Sequence, residues 1–208
     1  MDSHCRQILT NICTEFQGKL LLKLGAFLYF HRIMNDQQNY MKSALFELNR
    51  YKTLGDKTFE QLEEKDIHWA YSEYDNSIAI IVKHLSGNML SRWTNFLIED
   101  GEKTWRNREN EFDNPHTTKA EMIIAWEAGW HCLFEALETV NSSNFKTTIK
   151  IRNEPHTIID GINRQLAHYA NHVGQIVYIA KMIRGNKWIS LSIPKGKSAE
   201  FNQHKFRK

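Results

Sequence analysis

One run near the C-terminal end of the chain limits the fold more than anything else in it. Between His156 and Arg184, the residues Ile162, Leu166, Tyr169, Val173, Ile176, Ala180 and Ile183 recur in steps of four and three without a break. Such steps place every one of them on a single face of an α-helix, and a stripe sustained over this length is the seam of a helix bundle. Gly185 supplies the stop. The chain as a whole holds 3 Pro and 10 Gly in 208 residues, a scarcity of breakers that favours long helices over strands and turns.

Three further helices follow from the same spacing. The first is expected over 35–54, with Met41, Leu45, Leu48 and Tyr51 inward and Gly55 as its stop, followed by a capped helical turn at Thr58–Glu64. The second covers 77–98, with Ile78, Val82, Leu85, Met89 and Phe96 inward; Gly87 in its middle is costly there and marks a close approach of neighbouring backbone. After a polar loop at 101–117, the third covers 119–140, with Ile123, Trp130, Leu133, Leu137 and Val140 inward, and 145–151 alternates like a short extended piece. The expected fold is all-α: four long helices in an antiparallel bundle, with sizeable connections and at least one crossover.

Length suits one domain. The helical pattern sets its bounds at 34–190, with residues 1–33 an extension outside the main fold and 191–208 a basic, solvated tail. A packed extra helix and an anchor are the rival readings of 1–33. Its apolar stretch Leu20–Phe30 is broken by Lys23 and Gly25 and is too short to span a bilayer. The net charge of +3 is small, and the basic residues do not form a dense run with interleaved aromatics, so neither nucleic acid nor membrane is an expected partner. Cys5, Cys13 and Cys132 form no disulfide framework or zinc-finger spacing, as expected of reduced thiols in a cytoplasmic protein.

The polar residues of interest flank the seams. His168 and His172, in LAHYANHVGQ, stand one helical turn apart and each precedes a seam residue. In VKHLSGN, His84 likewise precedes the inward Leu85, with Asn88 on its side. If the two helices are neighbours, three imidazoles meet and can share a metal ion. With ten histidines in the chain, spacing alone leaves the plainer reading open: three part-buried histidines, each satisfied by a carbonyl or a water.

At these residues the chain resembles a known family. The segments LNRYKTLGDKTFEQL, NSIAIIVKHLSGNMLSRW, GEKTWRNRENEF and RQLAHYANHVGQIVYIAKMI, spread in order from about Met34 to Trp188, look like the DinB superfamily of metal-dependent proteins, also called YfiT-like, and within it a subfamily of unassigned function. The resemblance implies an up-down-down-up four-helix bundle, a frequent homodimer, and a metal, often nickel or zinc, held by one histidine of the second helix and an HxxxH pair of the last. Carried over by motif, those ligands are His84, His168 and His172.

Three neutral imidazoles leave a divalent ion its full charge and an open position, the pattern of catalytic rather than structural zinc. Imidazole suits zinc and nickel, with iron or manganese also open. Each ligand should hand its other ring N–H to an acceptor; Asn88, Gln175 and the acids Glu127, Glu135 and Glu138 are the candidates. Glu127 could also serve as a fourth ligand or a general base. Trp105 and Arg106 in the polar loop are candidates to lie over the open position and gather an anionic substrate, against a reading in which Arg106 and Arg108 pair with Glu109, Glu111 or Asp113. Three functions fit: a transferase that activates a low-molecular-weight thiol of the bacillithiol type, a hydrolase using metal-bound hydroxide, and a non-catalytic metal- or ligand-binding stress protein.

Overall fold

The computed structural model describes residues 36–113 and 116–206. The chain divides into two compact units, Met1–Ser43 and Ala44–Lys208. Of the first unit, 36–43 is described and is helical; the expected extension at 1–33 lies outside the described residues.

The second unit is mostly helical, as the periodicity requires. Its elements are the helix α1 at 44–59, then α2 (Ile78–Trp93), the single turn α3 (Asn110–Asp113), α4 (Lys119–Glu138), the strands β1 (Thr148–Ile151) and β2 (Glu154–Thr157), α5 (Ile158–Arg184) and α6 (Ser198–Phe206), with a short 3-10 helix at Glu64–His68. The helices α2, α4 and α5 each start on a side-chain cap. The Ser77 hydroxyl accepts the Ile80 N–H, and Thr118–Glu121 and Thr157–Asp160 close reciprocal capping boxes. α5 ends at Gly185, whose φ of +52° suits glycine.

The core lies between these helices. α2 contributes Ile78, Val82, Leu85, Met89 and Trp93; α4 contributes Met122, Trp126, Trp130, Leu133 and Leu137; α5 contributes Ile158, Ile162, Tyr169, Val173, Ile176 and Ala180, all buried. The inward face of α4 begins at Met122 and Trp126, not at the expected Ile123, which is only partly covered. Every fully buried side chain of this size stabilises by about 1.5–3 kcal/mol, so the seam residues fix which faces of α2 and α5 turn inward. A bond chain locks the two together: Trp93 Nε1 donates to the Tyr169 hydroxyl at 3.0 Å, which donates to Asn88 Oδ1 at 3.1 Å.

Several expectations need correction. Gly55 does not stop the first helix, which continues to 59. A Cβ on Gly55 would stand 2.4 Å from the Trp126 ring, so the glycine makes room for the indole. Thr58 is therefore inside the helix, donating to the Leu54 carbonyl at 2.7 Å, and caps nothing. α2 ends at Trp93, five residues early, where the chain turns through Asn95 with φ +50°. The extended piece pairs into an antiparallel hairpin, Thr148 opposite Thr157 through Ile151 opposite Glu154, so the fold is helical with one small sheet. Asp100 pins the hairpin turn, its carboxylate accepting the Arg152 and Asn153 N–H groups at 2.8 and 2.6 Å. The C-terminal segment read as a solvated tail carries α6, none of whose residues is buried.

Candidate metal centre

α2 and α5 bring the three histidines together. One ligand nitrogen from each of His84, His168 and His172 lies within 4.8 Å of the other two. Ring centroids are 5.3 Å apart for His84 and His168, 5.1 Å for His84 and His172, and 4.7 Å for His168 and His172. His84 is buried, and the α5 pair is half-buried, so the cluster opens toward solvent on the α5 side.

The protons on these rings can be assigned from their partners. Glu111 lies under His84, with Oε2 accepting from His84 Nδ1 at 2.9 Å. Burial works to raise the Glu111 carboxyl, but the hydrogen bonds from His84 and Arg106 and the Arg106 charge outweigh it and hold the group below the usual carboxylate range. It is an acceptor only, so His84 carries a proton on Nδ1 and turns its Nε2 toward the other two rings. Gln175 does the same for His172, its Oε1 accepting from Nδ1 at 2.7 Å. His168 is held down to about 3 by burial, reinforced by His172, His84 and the nearby Arg106 and Arg92, which keeps it neutral, as a ligand must be.

This donor set fits a divalent ion. Imidazole nitrogens about 2.0–2.1 Å from a tetrahedral ion stand roughly 3.3–3.4 Å apart, and His84 Nε2 and His168 Nε2 are 3.3 Å apart. Oriented imidazoles whose far nitrogens donate to a carboxylate and an amide are the arrangement that holds metal ligands in place. Among the described residues no carboxylate joins the cluster as a fourth ligand.

Glu111 is the residue that sequence reasoning undervalued. It was visible only as one of several acids that an arginine could pair with, because a polar loop has no period to rank them. It sits on the α3 turn, which Asn107 caps and Lys83 fastens to α2 by two 2.9 Å bonds to Asn110. The available signal was Gly87. A Cβ there would stand 2.4 Å from Glu111 Oε1, so the close approach expected at this glycine is made by a side chain, not by backbone.

Arg106 is turned to Glu111. Its side chain is 3% exposed, and it gives Nε and Nη2 to Glu111 Oε1 and Oε2 at 2.8 and 3.0 Å. It therefore holds the carboxylate that holds His84, the arrangement of the pairing expectation. Arg108 lies over Phe112 at 5.3 Å and beside Glu109 at 3.6 Å. Trp105 is exposed on the loop; the rings that meet the histidines are Phe112 against His84 and Tyr169 beside His168. Asn88 is engaged by Tyr169 and not by an imidazole. The α4 acids stand apart from the cluster: Glu127 accepts from Lys52 at 2.8 Å, Glu135 pairs with His131, and Glu138 is exposed.

The family described as "Protein of unknown function (DUF1572)" matches residues 35–197, and the chain belongs to it. No curated protein matches the chain.

Proposed function

We propose that this member of the DUF1572 family is a metal-dependent enzyme that uses its three-histidine site to activate a low-molecular-weight thiol for transfer to an electrophile. The observation that carries the reading is the pairing of three convergent imidazoles with a buried Arg106–Glu111–His84 relay and no fourth protein ligand among the described residues. A zinc or nickel ion bound there would supply an open position at which a thiol loses its proton near neutral pH. His84, His168 and His172 would hold the ion, Glu111 and Gln175 would keep two of the rings turned toward it, and Arg106 would keep Glu111 charged and fixed.

Two further points favour a thiol over hydrolysis. Glu111, the one carboxylate at the cluster among the described residues, already accepts from both His84 and Arg106, which leaves no free base to manage the protons of a hydrolytic step. Among the described residues the one cysteine, Cys132, is pushed up by burial and engaged with Thr94 at 3.6 Å, so this reading takes its thiol from a small molecule. In the same reading, 34–190 is an up-down-down-up four-helix bundle of the DinB/YfiT-like kind, with 1–33 outside it, working as a homodimer in the cytoplasm. The helical content, the family match and the placement of the three histidines support it. No helix among the described residues is long and apolar enough to cross a membrane.

The test is metal content on tag-free protein, followed by thiol transfer. One equivalent of metal in the wild type, almost none in His168→Ala, and turnover of a thiol with an electrophile are expected. Two folded proteins that both fail to take up added zinc or nickel would end the enzyme reading. Metal uptake with turnover on esters or amides alone would replace it with the hydrolase.

A further inference from the structure

Beside the metal centre is a cleft of about 450 Å³ that none of the residues above explains. It lies between the segment after the 3-10 helix and the C-terminal half of α5. Trp69, Tyr71, Tyr74 and Tyr178 line it, and it reaches Gln175, the residue bonded to His172. Tyr71, Tyr74 and Tyr178 are strongly exposed at 79%, 89% and 66%. Large aromatic side chains gathered around one opening and left uncovered mark a binding surface more often than a packing accident.

The charge in the cleft is one-sided. Asp75 lines it and no Lys, Arg or His does. Among the described residues no cationic side chain pairs with Asp75, whose Oδ2 accepts only the Ser72 hydroxyl at 2.7 Å. The turn is built to keep the carboxylate there. The Asp75 N–H donates to the Ser72 carbonyl at 3.2 Å and the Tyr74 N–H to the Ser72 hydroxyl at 3.3 Å, while Ser77, two residues on, caps α2. Aromatic faces attract cations through their quadrupole, and a lone carboxylate among them completes the usual recognition of an ammonium group.

We infer that this cleft binds an organic ammonium group, seated among Trp69, Tyr71, Tyr74 and Tyr178 and paired with Asp75. As a binding site it stands independently of the metal. As the subsite for one end of the substrate, next to His172, it rests on the thiol-transfer reading and narrows the substrate to an amine-bearing molecule.

The experiment is calorimetric titration of the full chain, first stripped of metal and then loaded with one equivalent of zinc, with benzylammonium, benzyl alcohol and benzoate. The three probes share a ring and differ in charge. In the stripped protein, benzylammonium should bind roughly five-fold or more tightly than benzyl alcohol, with benzoate weakest. Asp75→Asn keeps the acceptor for Ser72 and should bring benzylammonium down to the level of the alcohol without moving the alcohol. Tyr178→Ala should weaken both. Equal binding of amine and alcohol, a preference for benzoate, indifference to Asp75→Asn, or no binding of any probe would overturn the assignment. Amine selectivity in a chain that takes up no metal would sink the enzyme reading and leave the cleft standing, and metal uptake without amine selectivity would do the reverse.

Discussion

Removing the Glu111 carboxylate should damage folding and metal binding by different routes, and the two can be separated. In Glu111→Ala the Arg106 guanidinium, 3% exposed, loses both of its close acceptors and keeps, among the described residues, only Glu102 at 3.8 Å. Stranding a buried charge in this way costs about 3–5 kcal/mol, and the remaining Glu102 contact puts the expected loss near the lower end. His84 at the same time loses the acceptor that fixes its ring and tautomer, which typically weakens metal binding roughly 10–100-fold. The double variant Arg106→Met/Glu111→Leu should regain most of the stability, because a buried pair replaced by apolar side chains is often neutral. It should regain none of the metal affinity, because nothing then accepts from His84 Nδ1. Glu111→Gln should fall between: the amide oxygen can face His84 and Arg106 Nη2, but its NH2 group must then meet the Arg106 Nε–H. Urea unfolding of the metal-stripped chains and zinc competition against a chromophoric chelator read the two effects. Folded Glu111→Ala with zinc affinity within about two-fold of wild type, or a double variant in which affinity returns with stability, would refute the relay.

Gly87→Ala should lower stability and zinc affinity together even though alanine is the better helix former by about 1 kcal/mol, because the new Cβ would press on the Glu111 carboxylate; a stabilised variant with unchanged affinity would count against the close approach. Gly55→Ala should cost about 1–3 kcal/mol by overpacking against Trp126 and leave zinc affinity alone, as denaturation beside the zinc titration would show. The metal-stripped protein should lose stability as the pH falls from 6.5. His168 is held down to about 3 in the folded chain, so below its ordinary value the unfolded chain takes up a proton that the folded chain refuses. This contribution is complete above pH 6.5 and fades toward pH 3. Urea midpoints between pH 7.5 and 5 should therefore fall, and fall less in His168→Asn; equal slopes would contradict the assignment.

Legibility in the sequence tracked how repetitive the physical constraint was. The seam of α5 could be read because burial of one helix face repeats a rule for 27 residues, and the same rule placed His168 and His172 on the flank and His84 opposite. Helix ends were less readable, because they depend on contacts with other segments: Gly55 resembles a stop until Trp126 is seen against it. The partners of Asn88 and Glu127 are hidden in the sequence for a related reason. Periodicity says which face a residue occupies, but not that Tyr169 and Lys52 are nearer partners than an imidazole. Glu111 was hidden more deeply, since its place depends on a nonrepetitive loop folding back 27 residues to His84. The polar loop and the mid-helix glycine are each unremarkable alone. Taken together, a glycine at a costly helical position and an arginine-rich loop with an acid to spare describe one event, a carboxylate brought through the gap in α2 to a histidine. Filling that gap, removing the acid and removing the arginine should therefore perturb the same histidine.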